Sequence, residues 1–169
     1  MSDKPQRFVH GIIERCKTDK GFRATMRRAD NPSTEYQAWE ILVSYGVSLE
    51  QDYERLAYAT VGAALARSSP EKDGTYSLGE ALARSGKDGK PGDGEKSRLR
   101  RLLACSDSLE LVDVLRPVLR LIESRSVPIK YEQLLWDILQ FSKKPEQVKI
   151  RWAENFYYNR PFKVEEISG

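Results

Sequence analysis

Histidine and cysteine are scarce in this chain of 169 residues, with one His and two Cys. A single imidazole, His10, and no Cys-x-x-Cys pair leave no ligand set for a zinc site. Long apolar runs are also missing. The longest, such as AALA at 63–66, fall far short of the roughly 20 residues that span a bilayer. Nothing at the start has a secretory pattern, so a cytosolic (cytoplasmic) location without membrane contact is the expected default. There Cys16 and Cys105, each within an apolar helical pattern, are expected to be reduced core residues. Gly-x-Ser-x-Gly, His-Glu-x-x-His and Cys/His/Asn sets are absent as well. His10 reads as an ordinary residue of a helix surface. Glu50, Asp52 and Glu54 lie two apart, point to different sides of a helix and read as a solvated face. Neither catalysis nor a cofactor or metal is expected. There is no helix-turn-helix spacing and no aromatic stacking platform, so base readout is not expected either.

What the chain does have is helical periodicity, with 40 % hydrophobic and 31 % charged residues. That content suits one domain or two small lobes. In PQRFVHGIIERCK, Phe8, Ile12, Ile13 and Cys16 recur at three and four. GFRATMRRA is a second helix, stopped by Asp30-Asn31-Pro32. A third starts at Ser33, with Tyr36, Trp39, Ile41, Leu42 and Val43 as its apolar side and Gly46 just past its end. Ser48 and Gln51 have capping-box spacing before a fourth over 49–67, whose Ala59 and Ala63 point to close packing. Ser77 and Glu80 repeat that spacing before SLGEALARSG. Then come KSRLRRLLAC, LELVDVLRPVLRLIES (opened by Asp107 and Glu110, with Pro117 expected to bend it), SVPIKYEQLLWDILQF and KKPEQVKIRWAENFYY, with Pro145 in the first turn of the last. No alternating strand pattern and no internal repeat is present. The expected fold is all-α: about nine helices in two small helical bundles, a lobe over 1–86 and a lobe over 95–169, joined by a flexible Gly-rich loop over 87–94. Trp39, Trp136, Phe141 and Phe156 are expected in the core. Trp152, Phe156, Tyr157, Tyr158 and Phe162 cannot all face one small core, so some of them close the lobe or meet a partner.

The stretch GKDGKPGDGEKSRLRRLL at 86–103 nearly spells a phosphate-binding loop. The motif needs Gly-Lys-Ser/Thr after a strand. Here Glu95 intrudes between Gly94 and Lys96, and a helix precedes. A nucleotide site is therefore not expected.

Charge is the remaining signal. The net charge is +3 and the pI about 8.8, but residues 1–86 hold 12 basic and 12 acidic side chains, and residues 87–169 hold 16 and 13. In SRLRRLL, Leu99, Leu102 and Leu103 form the inward side, while Arg98, Arg100 and Arg101 form a compact outward ridge. Arg116 and Arg120, four apart, form a second ridge. Arg27 and Arg28 end the second helix, where the dipole favours them. Lys143 and Lys144 begin the ninth, where it does not, with Glu146 as partial offset. Such clusters suit phosphate through arginine's planar fork. They equally suit a solvated face or an acidic partner protein, so a strand-binding protein and a protein-binding scaffold both remain open.

The segments SLGEALARSG, RLRRLLACSDSLELVDVLRPVLRLI and LLWDILQFSKKPEQVKIRWAENFYY, with GFRATMRRA before them, resemble CasB, the small subunit of the type I-E CRISPR surveillance complex Cascade. The resemblance covers residues 7–160, is most specific in the first two segments, and holds only in pattern over 33–67. It implies an all-α, non-catalytic subunit acting in antiviral defence. It also implies two copies lying head to tail, contact with the backbone and large subunits, and basic residues on CRISPR RNA, target DNA and the displaced strand. The residues it implies are Arg27, Arg28, Arg98, Arg100, Arg101, Arg116, Arg120, Lys143 and Lys144, and it implies no cofactor.

Overall fold

A computed structural model describes residues 3–158. Among the described residues are nine α-helices: α1 (Lys4–Thr18), α2 (Lys20–Arg27), α3 (Trp39–Ser44), α4 (Asp52–Ser68), α5 (Leu78–Arg84), α6 (Asp93–Leu103), α7 (Ser108–Ser124), α8 (Tyr131–Phe141) and α9 (Pro145–Tyr158). Short 3-10 turns occupy Arg28–Asp30, Glu35–Ala38 and Lys87–Gly89. The all-α class and the count of nine match the sequence reading.

Helix α4 is central. Every side chain from Leu56 to Ala66 is buried, and α1, α2, α7 and α8 pack around it. So many small residues in one helix let neighbours approach closely. A Cβ on Gly62 would meet the Met26 methyl at 2.5 Å and the Phe8 ring at 3.0 Å. The buried apolar side chains form one cluster that draws on residues from both sides of 87–94. Helix α5 packs chiefly on α9, where Gly79 lies against the Trp152 carbonyl. Pro117 sits inside α7, which continues through it.

Several helix starts differ from the spacing rules. The Asp107 carboxylate does accept the Glu110 N–H, at 2.9 Å. Ser48 and Gln51 form no capping box, and α4 begins at Asp52. Instead Glu54 accepts the Ser48 N–H at 2.8 Å and pairs with Lys4 at 2.9 Å, so Glu54 is not part of a solvated face. The Ser77 side chain caps nothing, and the Glu80 carboxylate turns to Arg84 at 3.2 Å. Glu95, the residue that spoils the phosphate loop, accepts the Gly92 N–H at 2.8 Å and so closes the start of α6.

One start is built from afar. Asp73 lies in the loop before α5, yet its carboxylate accepts the N–H groups of Tyr131 at 2.6 Å and Glu132 at 3.1 Å, the first residues of α8. Beside it, residues 74–76 run along 128–130 through a single bridge, Tyr76 to Ile129.

Phe141, Trp152 and Phe156 are core, and Trp136 is half-buried. Trp39 is not core: it is 40 % exposed, beside Tyr36 at 59 %. The cause is local. A 3-10 turn occupies Glu35–Ala38, which rotates the pattern away from an α-helical face. Tyr157 and Tyr158 are exposed, and Phe162 lies outside the described residues. His10 is exposed on α1, and Cys16 and Cys105 are buried free thiols whose burial pushes their pKa values up.

Candidate nucleic-acid interface

The basic residues singled out by sequence fall into three groups on different elements. The first is α6. Leu99 and Leu102 are fully buried and Leu103 partly so, which fixes the helix and turns its other side outward. Arg100 and Arg101 are exposed and make no ion pair among the described residues. Arg98 is half-exposed and 4.0 Å from Glu95. The C-terminal end of the helix favours these cations through its dipole.

The second group converges through a residue the sequence reading treated only as a helix stop. Arg27 and Arg28 are exposed at the end of α2, and Arg28 reaches Gln37 at 3.3 Å. Two residues on, Asp30 is buried. Its carboxylate holds Arg67 Nη1 at 2.8 Å and Arg120 Nη2 at 3.3 Å. Arg67 in turn grips Glu123 with Nε and Nη2 at 2.6 and 2.8 Å. Burial opposes the charge on Arg67, but the Glu123 bond and the charges of Glu123 and Asp30 outweigh it, so its pKa is raised. The hub joins the Arg28–Asp30 turn, α4 and α7, and so carries Arg120 to the turn that holds Arg28. Arg120 stays 56 % exposed. A cavity of about 650 Å³ opens beside it, lined by Arg67, Lys72, Arg120, Glu123 and Tyr131.

The third group is Lys143 and Lys144 in the turn between α8 and α9, both exposed and without an ion pair among the described residues. Lys143 borders a cleft of about 180 Å³ with Tyr53 and Trp136.

Arg116 does not project beside Arg120. It lies 15 % exposed with Nη1 on Asp113 at 2.8 Å, and its Nε is buried without an acceptor among the described residues. A spacing of four placed both arginines on one side of α7. It could not say that one of them would fold back onto Asp113 while the other reached Asp30.

Asp30, Arg67 and Glu123 escaped the sequence reading because their partners are 37 to 90 residues apart, and no local spacing marks such pairs. Among the described residues no group of three His, Cys, Asp or Glu could hold a metal ion, and no helix is long and apolar enough to cross a membrane.

Fold and surface together define an all-α protein that offers exposed cationic groups on separate helices. The chain belongs to the CRISPR-associated protein Cse2 family, whose model matches residues 22–157. The resemblance to CasB pointed to this same family. No curated protein matches the sequence. Solved structures share the fold. The M. ruber CasB crystal structure is 22 % identical over 99 % of this chain and 98 % of its own, with a TM-score of 0.73. CasB from Thermus thermophilus is 23 % identical over 94 % and 99 %, at 0.69. A chain of a CRISPR RNA-guided surveillance complex is 18 % identical over 98 % and 96 %, at 0.74.

Proposed function

We propose that the protein is a non-catalytic subunit of a type I-E CRISPR surveillance ribonucleoprotein (Cascade) in antiviral defence. In this reading it works in the cytoplasm beside the backbone and large subunits and a second copy of itself, and it steadies guide RNA, target DNA and the displaced strand. Family membership supports the assembly. The exposed Arg100 and Arg101, without an ion pair among the described residues, on a helix anchored by Leu99 and Leu102 carry the strand-binding role. Guide pairing reads sequence, so the protein needs only sequence-independent backbone contacts. Exposed arginines without a base-reading element supply these. Arg27, Arg28, Arg98, Arg120, Lys143 and Lys144 extend the same chemistry across the surface. Arg116 acts through α7 and not on the strand directly.

The test is to change Arg98, Arg100 and Arg101 together to Ala in the assembled complex and measure DNA capture against salt. Each released phosphate contact removes about 0.7 from the log–log salt slope for a single strand. Loss of three contacts flattens the slope by about 2. An unchanged affinity and slope would remove these residues from the strand.

A further inference from the structure

Tyr36, Trp39 and Leu109, three of the large apolar side chains left most exposed, are not scattered. They wall one groove of about 410 Å³ between the Glu35–Ala38 turn, α3, α4 and α7. Their exposures are 59, 40 and 59 %. Val43, also exposed, lies one helical turn beyond Trp39. Grouped apolar exposure of this kind marks interaction surfaces, whereas single exposed residues do not. The wall is pre-set: Trp39 Nε1 donates to Glu35 at 2.7 Å, which fixes the indole before anything arrives. A fixed aromatic loses little entropy on binding.

Charge identifies the occupant. Two arginines line the groove, but both are already committed. Arg55 pairs with Glu35 at 2.9 Å and Asp52 at 3.0 Å, and Arg116 pairs with Asp113 at 2.8 Å. Both side chains are largely covered, at 21 and 15 % exposure, while the carboxylates Asp52 and Asp113 face solvent at 77 and 62 %. The outward character is therefore aromatic with an acidic rim. A nucleic-acid strand would bring phosphate against those carboxylates. We infer that this groove docks a segment of a different protein, one that inserts an aliphatic or aromatic side chain flanked by Lys or Arg. The subunit thus has two chemically distinct binding surfaces, and this one goes beyond the strand-binding role of the basic groups. Apolar anchoring gives the affinity and the rim gives orientation.

The experiment places a photo-cross-linking benzoylphenylalanine at Leu109 in the full chain, in the purified assembly, with the same group at exposed Ile150 on α9 as reference. The cross-linked peptide is mapped by mass spectrometry. The expected product from position 109 is one defined peptide of another protein, with an apolar residue within a few positions of Lys or Arg. Adding Tyr36→Ser or Asp113→Lys, both at exposed sites, is expected to reduce that product at least tenfold while helicity is unchanged. Cross-links to nucleic acid, to a second copy of this chain, or to nothing in an intact assembly overturn the inference. So does a yield indifferent to Asp113→Lys. Failure of the chain to enter any RNA-containing particle would strike the proposed function instead. A mapped protein cross-link outside such a particle would still support the groove.

Discussion

Replacing Asp30 by Ala tests whether the buried hub, and not the surface ion pairs, ties the Arg28–Asp30 turn to α4 and α7. The mutation removes two contacts of unequal weight. Arg67 Nη1 is 2.8 Å away and the pair is 17 and 6 % exposed, whereas Arg120 is 3.3 Å away and 56 % exposed. Orphaning a buried charge outright costs about 3–5 kcal/mol. Arg67 is not orphaned, since Glu123 still holds it by two bonds, so the cost falls below that range, to about 2–3 kcal/mol. The exposed Arg120 bond adds no more than about 0.5 kcal/mol. At about 2–4 °C per kcal/mol for a chain of this size, thermal unfolding should move down by roughly 5–10 °C. Arg120→Ala should move it by no more than about 2 °C. Far-ultraviolet circular dichroism with temperature reads both. Equal shifts for the two variants, or a shift below about 1 °C for Asp30→Ala, would refute the assignment of the hub.

Two further outcomes follow from packing and burial. Gly79→Ala puts a Cβ into the Trp152 carbonyl and within 3.0 Å of the Asn155 Cβ, so α5 and α9 must part. The urea midpoint should fall by the equivalent of about 1–3 kcal/mol, and an unchanged midpoint contradicts the close approach. Burial pushes the Tyr131 phenol up to about 12 from its ordinary 10.0, and Tyr58 is raised too. The folded pKa lies above the unfolded one, so this stability is whole below pH 10 and is lost as pH climbs towards 12. Tyr131→Phe should flatten that alkaline decline in denaturant midpoints, with a remainder left by Tyr58. Parallel declines for parent and variant would count against it.

Much of the fold was legible because its signals are local. The 3.6-residue period of Phe8, Ile12, Ile13 and Cys16, and that of Leu99, Leu102 and Leu103, survives intact as buried faces. The rejection of a phosphate loop rested on Glu95 and a preceding helix, and both stand: Glu95 closes α6 and α5 comes before it. Some failures are local, as with the 3-10 turn before Trp39, and others come from competition outside the window. Glu54 answers Ser48 and Lys4, so the Ser48–Gln51 spacing meant nothing. Arg116 and Arg120 carry the same spacing and the same charge, yet one is turned onto Asp113 and the other onto Asp30. Asp113 is a neighbour on the same helix, but Asp30 lies 90 residues from Arg120, and periodicity carries no record of such a partner.

The carboxylate that starts α8 has a bearing on how the chain acquires its shape as it is made. Asp73 and Tyr131 are 58 residues apart. At about 5–20 residues per second of synthesis, Asp73 leaves the ribosome roughly 3–12 s before the amides it will hold. Until then the Asp73 carboxylate has no first turn to hold. A large loop must close before the two meet, which is a step that slows folding. The loop around Asp73 and the first turn of α8 therefore complete each other at one moment, when residues 128–132 reach residues 73–76.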